Sequence, residues 1–233
     1  MTKFKALFGI DGSRVKDTCV FLPILRKDIS EWLGIKEFSR GKIYASGNNE
    51  YFTVIHTGIG PGFSGDAALY LEKTQCRNIL LFGSCGLVKE EKGMGIGSLV
   101  SPEKCYSMES FTDMLLKPGK APDAYFPDKT LADKLSGIKK VTCATLGSLK
   151  LEEDHPEIFE QNKIDVVDME ASALFSAAAR TGKKAAALFY VTDIIAKKPF
   201  YEKLSREDNS TLTASIKTAS LLLCDLIKKN PKD

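Results

Sequence analysis

The sequence predicts an α/β fold: one domain over residues 1–233, with three α/β/α layers in which helices flank a central mixed, twisted sheet. Two observations favour this class. Short apolar, β-branched runs alternate along the chain with segments rich in helix formers. The chain has 233 residues, 43% hydrophobic and 27% charged, which suits one large globular domain better than two small ones.

The clearest part of the pattern spans residues 164–193. Ile164 to Asp168 is mostly apolar and β-branched and predicts a strand, while Ala171 to Arg180 is rich in helix formers and predicts a helix. Thr181-Gly182 ends that helix, and a second apolar run from Ala185 to Val191 predicts the next strand. Two strands around one helix form a βαβ unit with a right-handed crossover.

An acid follows each of these two strands. Glu170 comes after the first strand and Asp193 after the second. Because ligands of open α/β sheets bind at the carboxyl ends of the strands, the pattern predicts two carboxylates at the mouth of one crevice. A structural role for either acid stays open at this point, since Glu170 could complement the dipole of the following helix and Asp193 could cap a turn.

The N-terminal part of the chain predicts a strand, a helix and a hairpin. Residues 5–10 are largely apolar and predict the first strand, which ends at the turn-rich Asp11-Gly12-Ser13-Arg14. A helix is expected from there to about Leu33, with Pro23 in its first turns or breaking it. Residues 41–57 predict a β-hairpin.

The middle of the chain carries two glycine-rich motifs. A strand predicted from Asn78 to Phe82 ends in Gly83-Ser84-Cys85-Gly86, a turn that can expose backbone N–H groups to an anion or a heterocycle, or that serves only as a tight turn. Gly60-x-Gly62-x-x-Gly65, before a helix predicted from Asp66 to Thr74, formally matches the dinucleotide fingerprint. No acid ends the next strand, so close packing of that helix on a strand explains these glycines better.

Residues 105–128 have no clear period and predict a long excursion over the ligand edge of the sheet. The sheet is expected to resume before it, at Ser98-Leu99-Val100. The remaining predicted elements are helices at residues 129–136, 151–162 and 207–229 and a strand at residues 140–145.

Composition excludes several classes of function. The net charge of +3 is too small to indicate a nucleic-acid or acidic-membrane partner, and no stretch approaches 18 apolar residues. The six cysteines are scattered without a Cys-x-x-Cys motif and are expected to be reduced thiols in a cytoplasmic protein, with neither a metal site nor disulfides. Only two histidines are present, and neither lies in a recognisable motif.

Four short motifs together resemble those of the nucleoside phosphorylase and nucleosidase superfamily. In chain order they are Thr57-Gly58-Ile59-Gly60, Gly83-Ser84-Cys85-Gly86, Val167-Asp168-Met169-Glu170-Ala171 and Val191-Thr192-Asp193. Each motif is weak alone, but four in the right order are fairly specific. The resemblance implies a nucleoside phosphorylase-like fold and cleavage of an N-glycosidic bond, whose transition state is a ribosyl cation with a departing base.

The resemblance also implies roles for the motif residues. Asp193 matches the general acid that protonates the base, and Glu170 matches the carboxylate that holds the ribose hydroxyls. Met169 would pack against the sugar, and Val167 and Asp168 would border the base. The other implied substrate-binding positions are Ile59, Ser84, Cys85 and Gly86.

The acceptor of the pentosyl group depends on the segment after the first strand. Ile10-Asp11-Gly12-Ser13-Arg14 resembles the phosphate motif of the phosphorylases, and Arg40-Gly41 resembles a pair that they lend to a neighbouring subunit. Phosphate binding is therefore expected from Arg14, Arg40 and Ser84, because an arginine fork suits phosphate. Another phosphate-binding arginine of those enzymes is Leu81 here.

The sequence thus predicts a nucleoside phosphorylase that acts on a purine-type nucleoside and inorganic phosphate, without a cofactor, as a homodimer or larger homo-oligomer. A hydrolytic nucleosidase of the same superfamily is the first alternative, with Asp11 as the candidate to activate water. A non-catalytic nucleoside-binding or dinucleotide-binding protein is the second. Arg206, 13 residues after Asp193, stays open as an assistant to the acid.

Overall fold

The computed structural model describes residues 1–90, 93–110, 116, 122–150 and 157–229. Helices within these residues include α1 (Lys3–Phe8), α2 (Lys27–Trp32), α3 (Pro61–Tyr70), α4 (Lys129–Asp133), α5 (Glu157–Asn162), α6 (Ala171–Arg180) and α7 (Arg206–Lys228). The strands are β1 (Thr18–Leu22), β2 (Ser39–Arg40), β3 (Ala45–Asn48), β4 (Phe52–His56), β5 (Asn78–Leu87), β6 (Leu99–Met108), β7 (Ala124–Tyr125), β8 (Lys139–Leu146), β9 (Val166–Asp168) and β10 (Lys184–Ile194).

The strands form one mixed sheet, as the sequence predicts. Its order is β10-β6-β8-β9-β5-β1-β4-β3-β2, with β7 added beside β6. Strand β10 also pairs in parallel with β5, so β5, β10, β6, β8 and β9 close into a ring while β1 to β4 continue as an open sheet. The closed part leaves few exposed strand edges.

Helices cover both faces of the sheet, which confirms the three-layer α/β/α class. Strand β1 shows the alternation: Cys19 and Phe21 point into one core and Val20 and Leu22 into the other. The first core also contains apolar residues of α3 and α6, and the second contains apolar residues of α2 and α7.

The N-terminal part differs from the sequence prediction. Residues 5–10 do not form the first strand, since Lys3–Phe8 is helix α1. The Thr2 hydroxyl accepts a hydrogen bond from the Lys5 amide, and Gly9 ends the helix at φ 83° in the left-handed region. The first strand is Thr18–Leu22, inside the segment predicted as helix, and it ends at Pro23. Its β-branched and aromatic residues are buried on both faces, and this tertiary burial prevails over the weak helical pattern.

Most of the later elements lie where the sequence predicts them. Helix α6 has the predicted bounds, and the hairpin is β3–β4. Helix α3 begins at Pro61, five residues earlier than expected, because proline suits the first helical turn. The predicted excursion at residues 105–128 is partly sheet, since β6 runs to Met108 and β7 follows. Its residues 111–115 and 117–121, like residues 151–156 of the predicted helix at 151–162, lie outside the described residues.

Helix α7 is the one helix within the described residues whose length and composition would allow it to cross a membrane. Its apolar face is occupied by the protein itself: Leu212, Ile216, Ala219 and Leu223 are buried in the core formed with α2 and the sheet. This packing explains why α7 is apolar: its apolar face belongs to the core of the protein.

Candidate active site

A cleft of about 450 Å³ opens at the carboxyl ends of β1, β5, β9 and β10. It brings together nine of the residues predicted for the site: Ile59, Ser84, Cys85, Gly86, Val167, Asp168, Met169, Glu170 and Asp193. Because four separate strands and loops contribute these residues, the fold assembles the four motifs at one place.

Glu170 lies in the turn between β9 and α6 and is only 4% exposed. Its Oε1 accepts a hydrogen bond of 2.7 Å from the Gly60 amide, in the turn before α3. Burial and the neighbouring Asp168 carboxylate raise the pKa of Glu170 to about 8. Its side chain makes no capping bond to α6, so a purely structural capping role does not describe this acid.

Asp193 lies within β10, at an irregularity where the pairing register with β5 shifts between Val191 and Asp193. Its side chain is 8% exposed, and its Oδ1 accepts a hydrogen bond of 2.7 Å from the Thr192 hydroxyl. Burial raises the pKa of Asp193, and the Thr192 bond opposes part of that shift. Because Asp193 is inside a strand, it does not cap a following turn.

Gly86 makes room for Asp193. It pairs with Asp193 across β5 and β10 and with Val167 across β5 and β9. A Cβ atom at Gly86 would lie 2.9 Å from Asp193 Oδ2 and 3.1 Å from Val167 Cγ2. A glycine is therefore required here by the close approach of the acid.

The sequence predicts a turn at Gly83-Ser84-Cys85-Gly86, but the structure has strand there. These four residues belong to β5 and pair with β10 from Phe189 to Asp193. Their other edge pairs with β9 only at Gly86, and β1 pairs with β5 only as far as Leu81. Ser84 still lines the cleft, whereas burial raises the pKa of the Cys85 thiol and keeps it protonated.

Asp168 lines the cleft, but its carboxylate is occupied by the protein. Oδ1 accepts hydrogen bonds from the Thr145 hydroxyl at 2.6 Å and the Cys143 thiol at 3.5 Å. Oδ2 accepts the Glu170 amide at 2.9 Å and the Ala171 amide at 2.7 Å. Burial raises the pKa of Asp168 to about 6 against the effect of these four donors. These contacts hold the turn that carries Glu170, whereas the role that the sequence predicts for Asp168 is to border the base.

Asp168 also belongs to a buried group that has the residue types of a metal site. The thiols of Cys105 and Cys143 and a carboxylate oxygen of Asp168 lie within 4.8 Å of one another. The Cys105 thiol is in turn 3.1 Å from the Thr145 hydroxyl. Burial raises the pKa of the Cys143 thiol, which disfavours the thiolate that a metal needs, so hydrogen bonding accounts for this group.

Arg14 lies at the opposite edge of the sheet from the cleft, so the predicted place of Arg14 in a phosphate site beside Glu170 and Asp193 is wrong for this chain. It precedes the start of β1, and its carbonyl oxygen accepts a hydrogen bond of 3.0 Å from Asn48. Asn48 pairs with Thr53 at the beginning of β4. The error follows from the prediction of the first strand at residues 5–10. Because the first strand is Thr18–Leu22, the segment that follows it is residues 23–28 and not residues 11–14.

The segment that follows β1 contains an ion pair between Arg26 and Asp28. Arg26 Nη2 lies 2.5 Å from Asp28 Oδ2, and Arg26 Nε donates to Asp28 Oδ1 at 3.1 Å. This arginine lowers the pKa of Asp28. Neither side chain lines the cleft, whereas Pro23 and Ile24 of the same segment do. Asp11, the predicted water activator, instead lies 3.1 Å from Lys5 in a half-exposed ion pair.

Arg40 lies on the correct edge but in a second cavity of about 730 Å³, which we call the basic cavity. Arg40 pairs with Ala45, and Ala45 pairs with His56 at the end of β4, so Arg40 is level with the carboxyl edge. The basic cavity shares Pro23, Ile24 and Ile59 with the cleft. Lys42 and His56 also line it.

Six further residues line the cleft: Pro23, Ile24, Leu146, Leu149, Thr192 and Phe200, and most are apolar. Thr192 belongs to the Val191-Thr192-Asp193 motif, whereas the other five lie outside the four motifs and carry no chemical signal in the sequence. Leu81, which stands where another phosphate arginine was sought, is fully buried in the core. Arg206 begins α7 and does not line the cleft.

Comparison with known proteins is consistent with this arrangement. The family model described as the phosphorylase superfamily matches residues 12–228. A comparison with curated proteins gives no match. Among solved structures, uridine phosphorylase from Vibrio fischeri is similar, at 18% identity over 95% of each chain with a TM-score of 0.74.

Two nucleosidases are similar to about the same degree. The methylthioadenosine/S-adenosylhomocysteine nucleosidase of Campylobacter jejuni is 16% identical over 92% of this chain and 99% of its own, with a TM-score of 0.70. The AMP nucleosidase of Bacteroides thetaiotaomicron is 16% identical over 97% of this chain and 95% of its own, with a TM-score of 0.69. At these identities the likeness describes the fold.

Proposed function

Because this chain belongs to the phosphorylase superfamily, we propose that it cleaves the N-glycosidic bond of a nucleoside in the cleft between Glu170 and Asp193, with water as the acceptor. The observation that carries the proposal is the pairing of two buried acids, both with raised pKa, in one largely apolar cleft. Acids in such surroundings are typical of proton-transfer sites.

Asp193 is the proposed general acid. Burial keeps its proton on at a higher pH than an exposed aspartate would, so the acid form is available to a departing base. The proton passes to a ring nitrogen of the base while the C1′–N bond breaks and its electron pair leaves with the base. Protonation at a ring nitrogen suits a purine, which we propose as the base.

Glu170 is the proposed partner of the ribose. Its backbone turn is fixed by Asp168, and its own Oε1 is fixed by the Gly60 amide. The second carboxylate oxygen can accept a ribose hydroxyl. In its ionised form, which becomes more abundant as the pH approaches the raised pKa of about 8, the Glu170 carboxylate stabilises the positive charge of the ribosyl cation, and Met169 on the same turn supplies an apolar contact.

The charges of the cleft favour water over phosphate. Among the described residues, the cleft wall carries the carboxyl groups of Asp168, Glu170 and Asp193 and no Lys or Arg side chain. A phosphate dianion would find no cation on this wall to offset its charge, whereas water needs none. Water would bond to C1′ and release its proton, and Asp193 would regain a proton from solvent.

Isotope labelling distinguishes the two acceptors. A purine and pyrimidine nucleoside panel is incubated in H₂¹⁸O with and without inorganic phosphate, and the pentose product is analysed by mass spectrometry. We expect free pentose with ¹⁸O at C1 and a rate that does not depend on phosphate. Phosphate-dependent formation of pentose 1-phosphate would contradict hydrolysis, and the Asp193→Asn variant controls for contaminating enzymes.

Phosphorolysis is the second candidate, and Arg40 is the observation that favours it. Arg40 lies at the carboxyl edge near the cleft and is exposed, so in a homodimer it could reach the cleft of a partner subunit. In that case an Arg40→Ala variant would have a higher KM for phosphate. A chain that only binds nucleosides would instead show ligand affinity that survives Glu170→Gln and Asp193→Asn, without turnover of any nucleoside.

A further inference from the structure

The basic cavity opens beside the sugar end of the cleft. Ile59 lines both spaces, and the next residue, Gly60, donates its amide to Glu170 Oε1 at 2.7 Å. Asp193 lies elsewhere in the cleft, beside Gly86 and Thr192. With the base at Asp193 and the ribose hydroxyls at Glu170, as the proposed function has them, the shared wall lies at the sugar end of the nucleoside.

The basic cavity and the cleft contain ionisable groups of opposite kind. Two cations, Arg40 and Lys42, line the basic cavity, and no acid does so among the described residues. The cleft has three carboxyl groups and no Lys or Arg on its described wall. Burial lowers the pKa of His56 and Arg40 adds to this effect, while a hydrogen bond with the Pro23 backbone opposes it, so the neutral imidazole is favoured. The third side chain of this cluster thus adds no repulsion to the two cations.

On these grounds, and resting on the proposed function, we propose that the preferred substrate is a nucleoside with an anionic group at its 5′ position, which Arg40 and Lys42 bind in the basic cavity. The chemical class is a phosphate or carboxylate oxyanion. Arginine provides the paired donors that such a group accepts, and lysine adds a point charge. A neutral 5′ group would leave both cations to solvent.

Matched substrates test the charge of the 5′ group. KM and kcat are measured for adenosine and for adenosine 5′-monophosphate, with wild type, Arg40→Ala, Lys42→Ala and the control Arg180→Ala. Arg180 is an exposed arginine at the far end of α6 and matches Arg40 in charge. We expect each cavity variant to raise KM for the monophosphate about tenfold, a size typical of one charge-assisted hydrogen bond, with KM for adenosine unchanged.

Two outcomes would overturn the inference. One is a KM for the monophosphate that equals that of adenosine and does not respond to Arg40→Ala or Lys42→Ala. The other is a rise in KM for free inorganic phosphate in Arg40→Ala or Lys42→Ala, measured with adenosine as the nucleoside. That result would mean that the two cations bind the phosphate acceptor.

Binding measurements separate this inference from the proposed reaction. If no nucleoside is turned over, the proposed function fails, and calorimetry with the same two ligands and the same variants still compares their affinities. Tighter binding of the monophosphate than of adenosine, lost in Arg40→Ala and kept in Arg180→Ala, would support the basic cavity as its site. Equal affinities would contradict it.

Discussion

The two edges of one sheet use acidic residues in different ways. At the edge where the strands begin, Asp17 accepts hydrogen bonds from Arg77 and from Asn78 at 3.0 Å, with 35% of its side chain exposed. At the edge where they end, Glu170 and Asp193 are 4% and 8% exposed, and their pKa values are raised. The same residue types thus make a surface ion pair at one edge and a candidate catalytic pair at the other.

The difference lies in solvation. An exposed ion pair contributes about 0–1 kcal/mol and keeps its groups charged. A buried acid without a counter-ion loses its hydration, which favours the protonated form and raises its pKa. Only the second situation yields a proton donor near neutral pH, and this is why the carboxyl edge, and not the amino edge, can carry acid catalysis.

The largest expected effect comes from removing the acid at the carboxyl edge, with the matched change at the amino edge as its control. Asp193→Asn should lower kcat by about 10²–10⁴-fold, because the base would then leave without a proton. Asp17→Asn, the matched change at the amino edge, should leave kcat unaltered. Steady-state kinetics on the best nucleoside of the panel checks both, and equal losses in the two variants would contradict the assignment of the acid.

Breaking the support of Glu170 should have the next largest effect. Asp168→Asn replaces an acceptor of four hydrogen bonds by an amide that cannot accept all of them, so the free energy of unfolding should fall by about 1–3 kcal/mol. Thr145→Val, which removes one donor, should have a smaller effect in the same direction. Urea unfolding measures both, and an unchanged midpoint for Asp168→Asn would contradict its role in holding the turn.

The burial of Glu170 predicts a pH-dependent stability. Its folded pKa of about 8 exceeds the ordinary value of 4.5, so its contribution to stability is present below about pH 4.5 and is lost as the pH rises through about 8. Glu170→Gln cannot ionise and should be more stable than wild type at pH 9, with the difference vanishing near pH 4. Thermal unfolding across this range tests the sign, and a destabilised variant at pH 9 would contradict it.

The smallest expected effect is at Arg14. The structure places it at the amino edge, so Arg14→Ala should change neither KM nor kcat for any nucleoside, with or without phosphate. Kinetic assays at several phosphate concentrations check this. A selective rise in KM for phosphate would contradict this expectation and would indicate that Arg14 reaches the active site of another subunit.

Local pattern was sufficient for the elements of the C-terminal half of the site but not for their arrangement. The periodicity predicts strand β9, helix α6 and strand β10, yet β9 runs antiparallel to β5 while β10 runs parallel to it, so the predicted parallel βαβ unit is wrong. Glu170 and Asp193 meet because Val167 and Asp193 both pair with Gly86 of β5. The N-terminal error had a local cause. Residues 3–8 and 18–22 both contain apolar side chains, but the caps Thr2 and Gly9 mark the first segment as a helix, whereas the β-branched and aromatic residues of the second favour a strand.

Other parts of the site depend on contacts between distant segments. The bond from Thr145 to Asp168 joins neighbouring strands β8 and β9, and the bond from Gly60 to Glu170 spans 110 residues. Neither follows from spacing in the sequence. The basic cavity likewise needs the pairing of β2, β3 and β4, which brings Arg40 level with His56.

The most direct test of the cleft is a crystal structure of Asp193→Asn with the nucleoside that the wild type cleaves fastest. We expect a ring nitrogen of the base within hydrogen-bonding distance of residue 193 and a ribose hydroxyl on a carboxylate oxygen of Glu170. A nucleoside bound away from these two side chains, or bound with its sugar at residue 193, would contradict it.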